Sequence, residues 1–151
     1  MCIRDRRIEM GHVAGSELDG RTIPYDASLE GLVSKKKDFI GKRSLNRSAF
    51  TSTDREKLVG VVPIDKTTSI PEGSYIVKDP KAKLPNPKLG HVSASCWSVE
   101  YDNPFSLAII KDGKNMIGQK LFAMSPLKNK TIPVEIVSSH YVDPEGKRVR
   151  S

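Results

Sequence analysis

"TIPVEIVSS", residues 131–139, sets the fold class. In an extended chain Val134 and Ile136 fall on one face and Glu135 on the other, which is the pattern of a half-buried strand. Five further β-rich runs precede it: "KLVGVVPI" (57–64), "GSYIVK" (73–78), "LGHVSASCWS" (89–98), "FSLAIIK" (105–111) and "QKLFAM" (119–124). Turn-forming stretches separate the runs: "IPEG", "DPKAKLPNP", "DNP", "KDGKN" and "SPLKNK". Short strands at this spacing predict a small antiparallel barrel or sandwich.

Upstream the pattern is different. Residues 7–13, "RIEMGHV", alternate weakly and read as a short strand with Arg7 and Glu9 on one face. Residues 14–28 are turn-rich, and "LEGLVS" (29–34) reads as a second short strand. Asp38 is a candidate cap, a short helix is expected from about Lys42 to Ser48, and the polar "TSTDRE" (51–56) reads as a linker. Trp97 and Phe122 are expected in the core, Cys96 as a buried inert thiol, and His91 on a strand, satisfied by packing and hydrogen bonds.

The bulk composition narrows the possibilities. A chain of 151 residues can build one domain with a real core. Ten prolines and eleven glycines disfavour long helices. A formal net charge of +7 favours anionic partners: nucleic acid, an acidic subunit face or a small carboxylate. Cys2 and Cys96 stand far apart, outside any metal-ligand spacing, and His12, His91 and His140 are scattered, so neither a metal nor a disulfide framework is expected. No apolar run approaches the ~20 residues of a membrane span, and "MCIRDR" has no apolar core of a signal peptide. The reading is a cytoplasmic, reducing compartment with no membrane partner.

"RIEMGHVAGSELDGRT", "KKKDFIGKRSL", "LVGVVP", "LGHVSASCWS", "SLAIIKDGKNMIGQKLFA" and "IPVEIVSSHYVDPEGKR", in this order, resemble the C-terminal end of the sarcosine oxidase alpha-subunit family. More broadly they resemble the aminomethyltransferase, or glycine-cleavage T-protein, fold. The resemblance runs from Arg7 to about Arg148, and "HVAG", where T-proteins carry an aromatic "LYG", weighs toward the oxidase. It implies a mainly β chain with minor α: an antiparallel Greek-key-type barrel over 57–148, preceded by the truncated end of an α+β folate-binding domain over 7–50, with 51–56 as linker. Residues 1–6 have no counterpart and read as a spurious start, so the chain is expected to be a C-terminal fragment that lacks the family's catalytic aspartate and is inactive alone. A T-protein or dimethylglycine dehydrogenase tail is the nearest alternative.

The resemblance further implies a tetrahydrofolate site, folate accepting the one-carbon unit released in oxidative demethylation of sarcosine to glycine. NAD and flavins (FAD, FMN) would lie outside this chain, and the other subunits of a hetero-oligomer would be its partners. Glu9 stands where the family places a pterin-binding glutamate, and a carboxylate can accept the adjacent N–H and NH₂ of the pterin edge together. Arg7 is its neighbour in the motif. Lys42 or Arg43, behind Gly41 at the start of the expected helix, suits the anionic glutamyl tail. His12, and Ser93 and Ser95 on the face of His91 by period two, are possible cleft contacts. Neither a catalytic triad nor a Gly-rich phosphate loop is present.

A reading of another class is a small basic nucleic-acid-binding barrel. Such barrels interleave exposed aromatics with basic residues. Here aromatics are 6% and sit mostly among aliphatics, as in "KLFAM" and "DFIG", so no nucleic-acid partner is expected.

Overall fold

A computed structural model describes residues 2–82 and 87–150. The part of the "DPKAKLPNP" turn at 83–86 lies outside the described residues. Six strands close into an antiparallel barrel: β1 (Glu56–Pro63), β2 (Tyr75–Val77), β3 (Gly90–Ser98), β4 (Asn103–Lys111), β5 (Lys120–Ser125) and β6 (Lys130–Val137). Around the barrel the order is β1-β4-β3-β2-β5-β6, with β6 returning to β1. The consecutive strands β2, β3 and β4 are neighbours and β1 lies beside β4, which is a Greek-key arrangement. Each expected strand run is present, displaced by a residue or two at its ends.

Alternation decides what each strand buries. Val59, Val61, Ile110, Val134 and Ile136 point into the barrel, where they form one cluster with Ile70, Ile76, Val92, Ala108, Leu121, Ala123 and Ile132. Leu58, Val62, Leu107 and Phe105 point outward and form a second cluster with Ile8 and Ala94. Residues 3–28 cover that outer face, so β1 and β4 are buried on both sides and read as near-continuous apolar runs. Trp97 differs from expectation: it stands at the open end of β3, 46% exposed, with its indole N–H 3.2 Å from Asp102 Oδ1. Phe122 is only half-buried.

The segment before the barrel is helical where a strand was expected. Helix α1 (Ile3–Glu9) starts with the Cys2 amide bonded to Asp5 Oδ2 at 2.9 Å. Arg4, Arg6 and Arg7 are good helix formers, Ile8 packs into the outer cluster, and Gly11 at φ 68 turns the chain. "LEGLVS" forms not a strand but a single 3₁₀ turn, Glu30–Leu32. The expected helix from Lys42 is split into α2 (Lys42–Leu45) and α3 (Ser48–Thr51), broken where Arg47 becomes extended. A last short helix, α4, spans Lys147–Arg150.

Asp26 fastens residues 15–32 to the barrel. The residue is 8% exposed, and its carboxylate accepts from Arg55, whose Nε lies 3.1 Å from both oxygens, and from Lys57 Nζ at 3.0 Å. Its carbonyl accepts the Leu58 amide at 2.7 Å. Burial pushes the Asp26 carboxyl up, but hydrogen bonds from Arg55, Lys57 and the Ile23 amide pull it below 3.8.

Two measurements test this account. A Cβ on Gly90 would run into the Ile109 carbonyl oxygen and stand 2.8 Å from Ile110 Cα, whereas Gly20 faces open space. Gly90→Ala should cost about 2 kcal/mol or more in urea unfolding, through overpacking against backbone, and Gly20→Ala under about 1 kcal/mol. For Asp26 the lowered folded pKa means its contribution is complete above the unfolded value near 3.8 and is lost as pH falls through the folded one. Asp26→Asn should cost roughly 2–4 kcal/mol at neutral pH and flatten the loss of stability below about pH 4. Equal costs at pH 7 and pH 3 would contradict the clamp.

Candidate functional site

Helix α1 ends on Glu9 and determines what its carboxylate meets. Glu9 is 0% exposed. Oε1 accepts the Val99 amide at 3.1 Å, from the turn between β3 and β4, and Oε2 accepts Arg6 Nη1 at 3.2 Å. The Glu9 carbonyl accepts the amides of Tyr141 and Val142 at 3.2 and 3.1 Å, tying the helix end to the chain that leaves β6. Beside it Tyr141 stacks on Phe105, centroids 4.4 Å apart, and tilts against the half-exposed Tyr101 at 4.6 Å. Glu9 is thus a buried acceptor of two N–H groups, enclosed by one helix turn, one hairpin turn and the exit of the barrel.

Arg7 does not share a face with Glu9. Positions two apart diverge on a helix, and Arg7 points instead to the following loop. Its guanidinium donates to the His12 carbonyl at 2.8 Å and to Glu17 Oε2 at 3.1 Å. Glu17, 3% exposed, also accepts the Ala14 amide at 2.8 Å and the Ser16 hydroxyl at 3.0 Å. Burial pushes the Glu17 carboxyl up; hydrogen bonds from Ser93, Ala14 and Ser16 and the charge of Arg7 outweigh it and hold the group below 4.5. The sequence reading passed over Glu17 and Asp26. For Asp26 a signal was present: "REK" (55–57) puts two cations on one strand face, two residues apart, in need of a carboxylate.

The serines separate as well. A bulge between Val92 and Ala94 shifts the register of β3, so Ser93 and Ser95 do not both continue the face of His91. Val92 packs inside the barrel and Ala94, two residues on, packs outside. Ser93 bonds the Leu107 carbonyl at 3.2 Å and reaches Glu17. Ser95 bonds the Ile70 carbonyl at 2.8 Å and Ser106 Oγ at 2.9 Å. His91 lines a recess of about 450 Å³ with Glu17, Asp26 and Arg55, which none of Glu9, Arg7, His12, Ser93 or Ser95 enters. Cys96 is half-buried, and burial, then the charges of Glu9 and Asp5, push its thiol up to about 12, leaving it inert near neutral pH.

His12 is exposed and lies near His140. Burial first, then the charge of His12, pushes the His140 imidazole below its usual 6.5. Lys42 and Arg43 line a separate notch of about 330 Å³ with Phe39 and Asn46. Lys42 Nζ donates to the Lys37 carbonyl at 2.8 Å and sits 6.0 Å over the Phe39 ring. The residues expected around a folate therefore do not converge: Glu9 lies at the helix–barrel junction, Arg7 turns to the following loop, Ser93 and Ser95 bond different backbone carbonyls, and the cation pair sits on the outer segment. Among the described residues no group of three or more His, Cys, Asp or Glu side chains is placed to hold a metal ion.

Comparison with known proteins agrees with this architecture. Over 145 residues the chain is 36% identical to the sarcosine oxidase subunit alpha of Rhizobium meliloti (strain 1021), covering 95% of this chain and 15% of that protein. It is 37% identical to the subunit alpha of Corynebacterium sp. (strain P-1), again over 15% of the relative. The chain thus spans about a seventh of the length of these relatives. Among solved structures, the glycine cleavage system aminomethyltransferase T from Bartonella henselae shares the fold with a TM-score of 0.73 at 20% identity, covering 93% of this chain and 38% of that one. Residues 56–143, the closed barrel and the turn after it, match the glycine cleavage T-protein C-terminal barrel domain, and the chain belongs to that family.

Proposed function

We propose that this chain is the C-terminal part of a sarcosine oxidase alpha subunit, within which it helps to hold the tetrahydrofolate that accepts a one-carbon unit. The parent would be one subunit of a hetero-oligomeric oxidoreductase acting on a CH–NH bond. Residues 7–50 would belong to its folate-binding domain and 57–148 to the terminal barrel. The observation that carries the reading is the buried Glu9 carboxylate, which accepts one N–H on each oxygen, one of them from a guanidinium. The 2-aminopyrimidinone edge of a pterin is a cyclic guanidine that offers the same pair of donors. The carboxylate's charge suits that edge, and a bound pterin would take the place of the Arg6 and Val99 donors that occupy the two oxygens here.

Tetrahydrofolate supplies the nucleophilic nitrogens that take up the carbon. The residues of this chain bind and orient. Glu9 would hold the pterin edge, with its backbone anchored through Tyr141 and Val142. Arg7 and Glu17 fix the loop behind it, and Arg7 would act there as a positioning residue. Lys42 and Arg43 carry the positive charge suited to the glutamyl tail, and His12 lies on the loop that Arg7 closes.

Glu9→Gln in the full-length subunit preserves shape but replaces one acceptor oxygen with a donor. Mispairing a buried polar group costs about 1–3 kcal/mol, so tetrahydrofolate affinity should fall roughly tenfold or more. Amine oxidation should persist, with formaldehyde released rather than captured. Titration calorimetry gives the affinity, and circular dichroism checks that the variant is folded. A folded Glu9→Gln subunit with unchanged folate affinity would overturn the assignment.

A further inference from the structure

Asn103 opens β4 opposite Ser98, the last residue of β3, so the two close the hairpin turn 99–102. Both are buried. Ser98 Oγ accepts the Tyr101 amide at 3.4 Å, inside the turn. The Asn103 side chain instead leaves the turn: its Nδ2 donates to the Tyr141 hydroxyl at 3.0 Å, 38 residues along the chain. The Tyr141 ring lies flat on Phe105, with 5° between the two planes. A stacked pair tolerates a range of offsets; the bond to Asn103 selects one.

The two segments joined by this bond are the two that hold Glu9. From the turn, the Val99 amide donates to Glu9 Oε1 at 3.1 Å. From the segment after β6, the Tyr141 and Val142 amides donate to the Glu9 carbonyl at 3.2 and 3.1 Å. These contacts lie within residues 9–142, so further chain in the parent can cover them but is not needed to make them. A pterin seated on Glu9 would take over the oxygens that Val99 and Arg6 occupy here. The carboxylate would then keep its backbone anchor, and the Asn103–Tyr141 bond would keep that anchor in register with the turn.

We propose, on the folate reading given above, that Asn103 and the Tyr141 hydroxyl are positioning residues for Glu9 and set where its carboxylate meets the pterin edge. An apolar residue at position 103 would satisfy burial alone; an amide aimed at a hydroxyl adds direction. Both groups act through Glu9, so their loss weakens folate binding and spares amine oxidation.

The test uses the full-length subunit in its holoenzyme, with tetrahydrofolate as the probe. Asn103→Leu and Tyr141→Phe each leave one polar partner unpaired, and each should lower tetrahydrofolate affinity roughly three- to tenfold and lower Tm. The double variant Asn103→Leu/Tyr141→Phe removes both partners with little change of shape, so its Tm should return toward the wild-type value. Its folate affinity should stay reduced, because the Glu9 seat is no longer oriented. In a Glu9→Gln background the same substitutions should add little further loss. The kcat and KM for sarcosine should be unchanged throughout. Folate affinity that recovers with Tm in the double variant would mean that the bond only holds the fold, and would overturn the inference. So would losses that add in full to that of Glu9→Gln. If Glu9→Gln loses affinity while both single variants keep it, this inference alone falls; if Glu9→Gln itself keeps wild-type affinity, the folate reading falls and this inference with it.

Discussion

The closure of the barrel through β1 governs the rest of the structure. β1 pairs with β4 over Glu56–Val61 and with β6 over Gly60–Pro63, so the two pairings overlap at Gly60 and Val61. At that crossing there is no room for a side chain on Gly60: a Cβ would meet the Ser138 carbonyl and the Phe105 ring. Glycine at this position therefore lets the Ser138 carbonyl and the Phe105 ring approach the strand closely where its two pairings overlap. With no strand edge left free, each strand offers one face to the interior and one to the outside. The outside of β1 and β4 must then be covered by something else.

Residues 3–28 provide that cover, and buried carboxylates hold it in place. Ile8 supplies the apolar contact. Around it Glu9 ties the helix to the β3–β4 turn, Glu17 ties the loop to Arg7 and Ser93, and Asp26 ties the next loop to Arg55 and Lys57. Each carboxylate is satisfied, and no buried side-chain nitrogen or oxygen among the described residues lacks a partner. Such networks are directional and fix one seating of the cover on the barrel, which an apolar patch of the same size would not do. They also place a buried acceptor, Glu9, next to aromatic rings at the barrel exit. From residue 33 to 47 the hydrogen bonds among the described residues are local, and Arg55 takes up the chain again at the Ala49 carbonyl.

Much of the fold was legible because strands advertise themselves by local pattern. "PVEIV" reads as a strand in isolation, and turn residues on either side bound it. The N-terminal segment was not legible in this way. "RIEMGHV" alternates weakly enough to suit a strand, yet the helical run before it and the covering position of Ile8 make it the end of α1. That single change of state separated Arg7 from Glu9. Period-two reasoning failed on β3 for a related reason: the bulge after Val92 is a pairing event with β4, and nothing in "HVSAS" announces it. Trp97, apolar and within a strand run, is expected in the core, but near the end of β3, paired with Pro104 of β4, it is left 46% exposed.

By itself the sequence determined the six strands, the turns between them and the chemical character of the Glu9 motif, because alternation, turn residues and side-chain type act over a few neighbouring residues. Only the tertiary structure decided which strands pair, which carboxylates are buried, and which cations are left unpaired. Barrel closure brings residues as distant as Glu9 and Val99, or Asp26 and Arg55, within hydrogen-bond reach. The same closure leaves residues 33–47 outside it. Partners that far apart in the chain are set by the global balance of burial and pairing, which short-range pattern does not contain.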